Sequence, residues 1–131
     1  MEIPKFSQTF RGKIRVKGDK SISHRVLILS GLSEGITKIY NLSSADDVKR
    51  TANILSELGV KIKEKDGQNY VNVEGKGLYL NFPQSVLYAG NSGTTARIFS
   101  AILSAQKFPS VLDGDESLRK RPMKRVVEPL R

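Results

Sequence analysis

Three short segments bring cations together with glycines and hydroxyls at predicted helix starts. The first is Gly18-Asp19-Lys20-Ser21-Ile22-Ser23-His24-Arg25. Here a turn delivers a lysine, serines and an arginine to the start of a helix predicted to run to about Leu32. Free backbone N–H groups and the helix dipole favour an anion at such a position. Lys20 adds a point charge, and Arg25 adds a planar fork suited to a carboxylate or phosphate. The spacing is not that of a P-loop. The second segment, Gly90-Asn91-Ser92-Gly93-Thr94-Thr95, precedes an apolar helix predicted over about Ala96 to Ala105. Its composition suits a backbone nest for an anion. Gly93, with no side chain, lets a ligand approach its backbone closely. The third, Asp115-Glu116-Ser117-Leu118-Arg119-Lys120-Arg121-Pro122, sets consecutive cations before another helix start, as a phosphate clamp would. Taken singly, each segment also fits a capped helix start or a solvated basic loop.

Other groups offer less chemistry. Asp46 and Asp47 read as first-turn helix acids rather than an acid–base pair. His24 lies within a turn of Lys20 and Arg25, whose charges disfavour its protonated form, and no partner for it is visible in the sequence. Tyr40, Tyr70, Tyr79 and Tyr88 are dispersed and make no stacking pattern for nucleic acid.

The elements that must position these segments follow from periodicity. Phe10, Gly12, Ile14 and Val16 alternate with Arg11, Lys13, Arg15 and Lys17, which predicts a strand with one cationic face. Ser21 or Ser23 is expected to cap the first helix, with Gly31 and Gly35 at its end. Ile36 to Leu42 reads as a strand. Ser44 and Asp47 have capping-box spacing at the start of a second helix, whose stripe of Val48, Ala52, Leu55 and Leu58 is stopped by Gly59. Val60–Glu64 and Tyr70–Val73 alternate around Asp66-Gly67, which predicts a hairpin. Leu78–Phe82 and Ser110–Asp113 are further strand candidates. Pro122 opens a last helix, with Met123, Val126, Val127 and Leu130 on one face and a kink or end at Pro129. From Leu78 onward the predicted strand-helix-strand-helix order begins to repeat the earlier order, without a residue-level repeat. The chain ends at Arg131 with no clear C-cap, as an interrupted element would.

Composition bounds the remaining possibilities. The 131 residues include 22 Lys+Arg against 13 Asp+Glu, for a net charge of +9, with one His and no Cys. That length suits one domain. Without Cys there are no disulfides, thiol nucleophiles or iron–sulfur ligands, and a lone His excludes a multi-His metal site within the chain. No apolar run approaches a membrane span, and the first residues lack a signal-peptide pattern. A soluble, cytoplasmic chain with anionic partners is expected; charge alone does not choose among nucleic acid, anionic lipid and phosphorylated metabolites.

Together and in this order, GDKSISHR at 18–25, LSSADDV at 42–48, NSGTTAR at 91–97 and GDESLRKRPM at 114–123 resemble the 5-enolpyruvylshikimate-3-phosphate (EPSP) synthase family. The related UDP-N-acetylglucosamine enolpyruvyl transferases are less similar: they carry Lys-Asn in place of Lys20-Ser21, and a Cys-bearing loop absent here. The resemblance implies an α/β (α+β) fold of βαβαββ units, one complete and most of a second. It implies that residues 1–17 form a strand that packs with a companion domain. Residues 18–131 would be part of the N-terminal domain of a two-domain enzyme. The implied reaction transfers the enolpyruvyl group of phosphoenolpyruvate to the 5-hydroxyl of shikimate 3-phosphate and releases phosphate, towards chorismate and the aromatic amino acids.

By matching positions, the resemblance makes Lys20 catalytic and in contact with both substrates. Ser21 and Arg25 would bind shikimate 3-phosphate. Gly93 and Arg121 would bind phosphoenolpyruvate, with Asn91, Thr94 and Arg97 supporting that loop. No metal, cofactor, nucleic acid or membrane is implied. The inhibitor glyphosate occupies the phosphoenolpyruvate site in this family. Asp19 stands where the family often has Ser, and His24 where Asn is common. Family members are much longer, so this chain is expected to be an N-terminal portion, inactive without its C-terminal remainder. The alternative is an anion-binding module without turnover.

Overall fold

Residues 11–14, 16–64 and 68–131 are described by a computed structural model. Alternating apolar and polar residues build an antiparallel sheet of β1 (Glu34–Tyr40), β2 (Lys61–Glu64) and β3 (Tyr70–Lys76), in the order β1-β3-β2. Its inner face presents Ile39, Val71 and Val73, all buried. They join one apolar core with Leu27 and Ile28 of α1 (Lys20–Leu32) and with Val48, Ile54 and Leu55 of α2 (Asp46–Glu57). Each such fully buried side chain contributes about 1.5–3 kcal/mol of transfer free energy. The predicted hairpin forms, with Lys61 opposite Glu74 and Glu64 opposite Val71. Its turn at Asp66-Gly67 lies outside the described residues.

The next elements, β4 (Leu87–Tyr88) and α3 (Gly93–Ser104), pack against α2. β4 and β5 (Leu112–Asp113) pair in parallel, and α3 connects them, as a parallel pair requires. Phe99 and Leu103 carry α3 into the core. Two short helices follow, α4 (Glu116–Arg119) and α5 (Lys124–Val127), and α5 passes into a 3-10 turn over Glu128–Leu130 at Pro129.

Several local expectations change. Residues 11–14 and 16–17 form no strand, and Ile14 and Val16 are 89% and 72% exposed. A period-two pattern becomes a strand only where a partner edge accepts its hydrogen bonds, and no described edge does so here. Phe10 and Arg15 lie outside the described residues. Neither Ser21 nor Ser23 caps α1; Asp19 does, its Oδ1 accepting from the Ile22 amide at 2.7 Å. Ser23 instead turns inward and accepts from the Ser43 amide at 3.0 Å. Gly31 lies inside α1, where a Cβ would stand 2.9 Å from Leu55 Cδ2, so its absence lets α1 and α2 approach. The residue before α2 is Ala45, without a side-chain cap; Ser43 rather than Ser44 accepts from its amide, at 3.4 Å. Leu78–Phe82 is not a strand. Its amides bond singly, Asn81 to the Leu58 carbonyl at 2.9 Å and Leu80 to Gln106 Oε1 at 3.4 Å, rather than to a ladder.

Candidate functional site

Two helix starts and one loop carry the predicted site residues. At α1, capping by Asp19 satisfies one amide and leaves Lys20 as the first helical residue. Lys20 Nζ donates to Asp47 Oδ2 across 2.8 Å, joining the starts of α1 and α2. Both partners remain partly exposed, with 53% and 31% of their side-chain surfaces accessible, so the pair is worth at most about 1 kcal/mol. Its larger consequence is geometric: it holds the ammonium over the first turn. Ser21 is exposed, and its carbonyl accepts from Arg25 Nη1 at 2.9 Å, which folds Arg25 back along the same turn.

At α3, Ser92 caps the helix three residues earlier than expected, its Oγ accepting from the Thr95 amide at 3.2 Å. The helix therefore opens on Gly93 itself. A Cβ there would lie 3.0 Å from Arg121 Nη1 and 3.0 Å from Arg97 Nη1. Two guanidinium groups thus stand against a residue without a side chain. Arg121 also donates through Nη2 to the Asn91 side-chain oxygen. Asn91, Gly93, Arg97 and Arg121 form one cluster.

The backbone explains how Arg121 reaches this loop. The β4–β5 pairing continues beyond the strands, with the Ala89 amide on the Asp113 carbonyl at 2.8 Å and the Asp115 amide on the Gly90 carbonyl at 2.9 Å. Gly90 has φ of +59°, a left-handed conformation suited to glycine. Asp115 then caps α4, accepting from the Leu118 amide at 2.8 Å, and Leu118 is buried. The Arg121 amide closes the turn on the Leu118 carbonyl at 3.0 Å.

The three consecutive cations divide their roles. Arg119 is bidentate on Asp113, with Nε 2.9 Å from Oδ1 and Nη2 on Oδ2. That bond and the Gly114 amide hold the Asp113 carboxyl down at about 2. Lys120 pairs with Glu116 at 3.1 Å. Arg25, Arg97 and Arg121 have no carboxylate partner among the described residues.

His24, assigned no partner from the sequence, is buried and has one: its Nδ1 lies 2.7 Å from Thr51 Oγ1. Thr51 Oγ1 in turn lies 2.8 Å from Thr95 Oγ1, which donates to Ser92 Oγ at 2.6 Å. Burial is the main cause that lowers the His24 pKa. Neither this link nor the Lys20–Asp47 pair was visible beforehand, because their members are 27 and 44 residues apart. Among the described residues no hydrogen bond joins Lys20 directly to Gly93 or Arg121. Lys20, Ser21, Arg25, Asn91, Arg97 and Arg121 are exposed, while Gly93 is buried beside the two guanidiniums. A cavity of about 470 Å³ lies elsewhere, between α2 and the hairpin, lined by Ser44, Lys49, Ile62 and Tyr70. No group of His, Asp or Glu among the described residues is arranged to hold a metal ion, and no helix of the described residues is long and apolar enough to cross a membrane.

Residues 4–131 match the family profile described as EPSP synthase (3-phosphoshikimate 1-carboxyvinyltransferase). The chain belongs to the EPSP synthase family. It is 52% identical to the 3-phosphoshikimate 1-carboxyvinyltransferase of Petrotoga mobilis, over 95% of this chain and 29% of that protein. It is 46% identical to the enzyme of that name from Staphylococcus epidermidis, over 98% of this chain and 30% of that protein. Its fold is similar to that of EPSP synthase from Acinetobacter baumannii, with a TM-score of 0.85 at 43% identity, over 90% of this chain and 27% of that one. The chain therefore spans about 30% of the length of the EPSP synthases it matches. The mixed α/β architecture expected from the motifs is that of an EPSP synthase.

Proposed function

We propose that this chain supplies one wall of the active site of a 3-phosphoshikimate 1-carboxyvinyltransferase. The 5-hydroxyl of shikimate 3-phosphate adds to C2 of phosphoenolpyruvate as C3 takes up a proton. The bond from C2 to the phosphate oxygen then breaks as C3 gives up a proton, which restores the double bond and releases inorganic phosphate. Ser21 and Arg25 take the carboxylate and ring side of shikimate 3-phosphate. The Gly93 backbone and Arg121 take phosphoenolpyruvate, with Asn91, Thr94 and Arg97 shaping their loop. Lys20 reaches both substrates. Its charge and that of Arg121 stabilise the departing phosphate.

One observation carries this reading. Arg121 and Arg97 both stand 3.0 Å from where a Gly93 Cβ would be, which puts two unpaired guanidiniums beside the first free amides of α3. Fixed cations and helix-start amides bind a polyanion and orient it with little reorganisation. The exposed Lys20, Arg25, Arg97 and Arg121 side chains of this wall fit a site completed by a second body, which excludes water when it closes. On this reading the elements make one complete βαβαββ unit and most of a second. Residues 1–17 pack with the companion domain, 18–131 belong to the N-terminal domain, and the enzyme works in the cytoplasm. Turnover then requires the counterpart of the remaining length of the relatives, and the 131-residue chain alone is inactive.

Phosphate release by the complete polypeptide carrying this segment tests the reading. Release is expected only when shikimate 3-phosphate and phosphoenolpyruvate are both present. No release with both present overturns it.

A further inference from the structure

We propose that His24, Thr51 and Thr95 are positioning residues which, through a single proton-ordered chain in the core, set the Gly93 loop relative to the Lys20 helix. The proposal rests on the substrate assignment above. All of its members, with Ser92, are essentially inaccessible: His24 is 1% exposed and Thr51, Thr95 and Ser92 are 0% exposed.

Proton counting fixes the direction of the chain. A hydroxyl has one proton to give. Thr95 gives its proton to Ser92 Oγ at 2.6 Å, so at 2.8 Å it accepts from Thr51. Thr51 has then spent its proton, so at 2.7 Å it accepts from His24 Nδ1–H. His24 is thereby a neutral Nδ1–H tautomer, and its buried Nε2 is a lone pair without a partner.

The chain ends beside both substrate groups. His24 lies one helical turn beyond Lys20, and Ser92 is the cap immediately before Gly93. Apolar residues would fill the same space without needing any order. In a buried polar chain, by contrast, each removed member leaves a neighbour unsatisfied, and the members act as a unit. The cap of α3 therefore depends on a histidine in α1. The Lys20 end has further side-chain supports in the Asp19 cap and the Asp47 ion pair, whereas at the other end the capping hydroxyl of α3, Ser92 Oγ, is itself a member of the chain.

Thr51→Val in the complete polypeptide breaks the chain with little change in shape. The KM for phosphoenolpyruvate is expected to rise about 3- to 10-fold, while the KM for shikimate 3-phosphate stays within about 2-fold. Thr51→Ser, which keeps the hydroxyl, restores the wild-type value. A Thr51→Val/Thr95→Val double variant is expected to do no more harm than either single one. Equal KM values with only a lowered amount of active enzyme, or additive single effects, overturn the proposal. Imidazole ¹⁵N shifts of the wild-type polypeptide provide a reading that needs no variant: protonation at His24 Nδ1 is expected, and protonation at Nε2 overturns the chain. A wild-type polypeptide that gives the expected shifts but releases no phosphate overturns the substrate assignment instead, and with it the role in positioning.

Discussion

Arg121 donates to the Asn91 side-chain oxygen across 30 residues of sequence, and its Nη1 lies 3.0 Å from where a side chain on Gly93 would begin. Arg121 is thus tied to the loop that precedes α3. The adjacent cations are not: Arg119 is held by Asp113 and Lys120 by Glu116. Of the three consecutive cations, Arg121 alone has no carboxylate partner among the described residues.

Arg121→Lys should expose that distinction. A lysine ammonium cannot reach Asn91 and a ligand with one planar fork. The KM for phosphoenolpyruvate in the complete polypeptide should rise about 10-fold or more, and Lys120→Ala should leave it within about 2-fold. Steady-state kinetics decide between these outcomes, and equal effects of the two substitutions would contradict the placement.

Gly93→Ala should act on ligands and spare the fold. A Cβ there meets only the far ends of Arg121 and Arg97. They can yield by a few tenths of an ångström, but the space for phosphoenolpyruvate narrows. Affinity for phosphoenolpyruvate and for glyphosate should both fall, by about 10-fold or more if one ligand contact is lost, with an unchanged unfolding midpoint. Calorimetric titration of both ligands checks this, and unchanged affinities count against the site.

Asp19 has a structural task. Replacing it with Ala should destabilise the polypeptide by about 0.5–2 kcal/mol in urea, while Asp19→Ser, which still caps, should cost far less. Equal losses would show that the carboxylate does something besides accept from the Ile22 amide.

Stability should fall towards acid in two stages. Burial, opposed by Asp47 and aided by Lys20 and Arg25, lowers the His24 pKa below its ordinary 6.5. Above that value His24 is neutral in both states and contributes no pH dependence. As pH falls below it, the unfolded chain takes up the proton first, so stability declines until the folded value is reached. Asp113 shifts from 3.8 to about 2 because of its hydrogen bond to Arg119 and the Gly114 amide. Its contribution is complete above 3.8 and is lost as pH drops towards 2. Denaturation midpoints should therefore lose their dependence in the range just below pH 6.5 in His24→Asn, and keep the lower stage. A His24→Asn profile that matches the wild type would contradict this account.

What was legible in the sequence was local. The hairpin, the core stripe of α2 and the stop at Pro129 each depend on neighbours within a few residues, and all appear. Caps were harder to assign, since Asp19, Ser21 and Ser23 are all good candidates and only the inward turn of Ser23 towards Ser43 separates them. Two strand candidates, the alternating 10–17 and the apolar 78–82, are not strands among their described residues, because pairing is a property of two segments rather than one. At the candidate site, the motifs located the cations and Gly93. They did not show which cation turns to Gly93, that Asp47 restrains Lys20, or that His24 meets Thr51. Those contacts join distant segments through packing, and no spacing rule encodes them.

A crystal structure of the complete polypeptide with shikimate 3-phosphate and glyphosate bound tests the central claim most directly. The account predicts glyphosate on the Gly93 amide and the Arg121 guanidinium, the shikimate carboxylate at Ser21 and Arg25, and Lys20 between the two ligands. Ligands bound without contact to Lys20, Gly93 or Arg121 would contradict it.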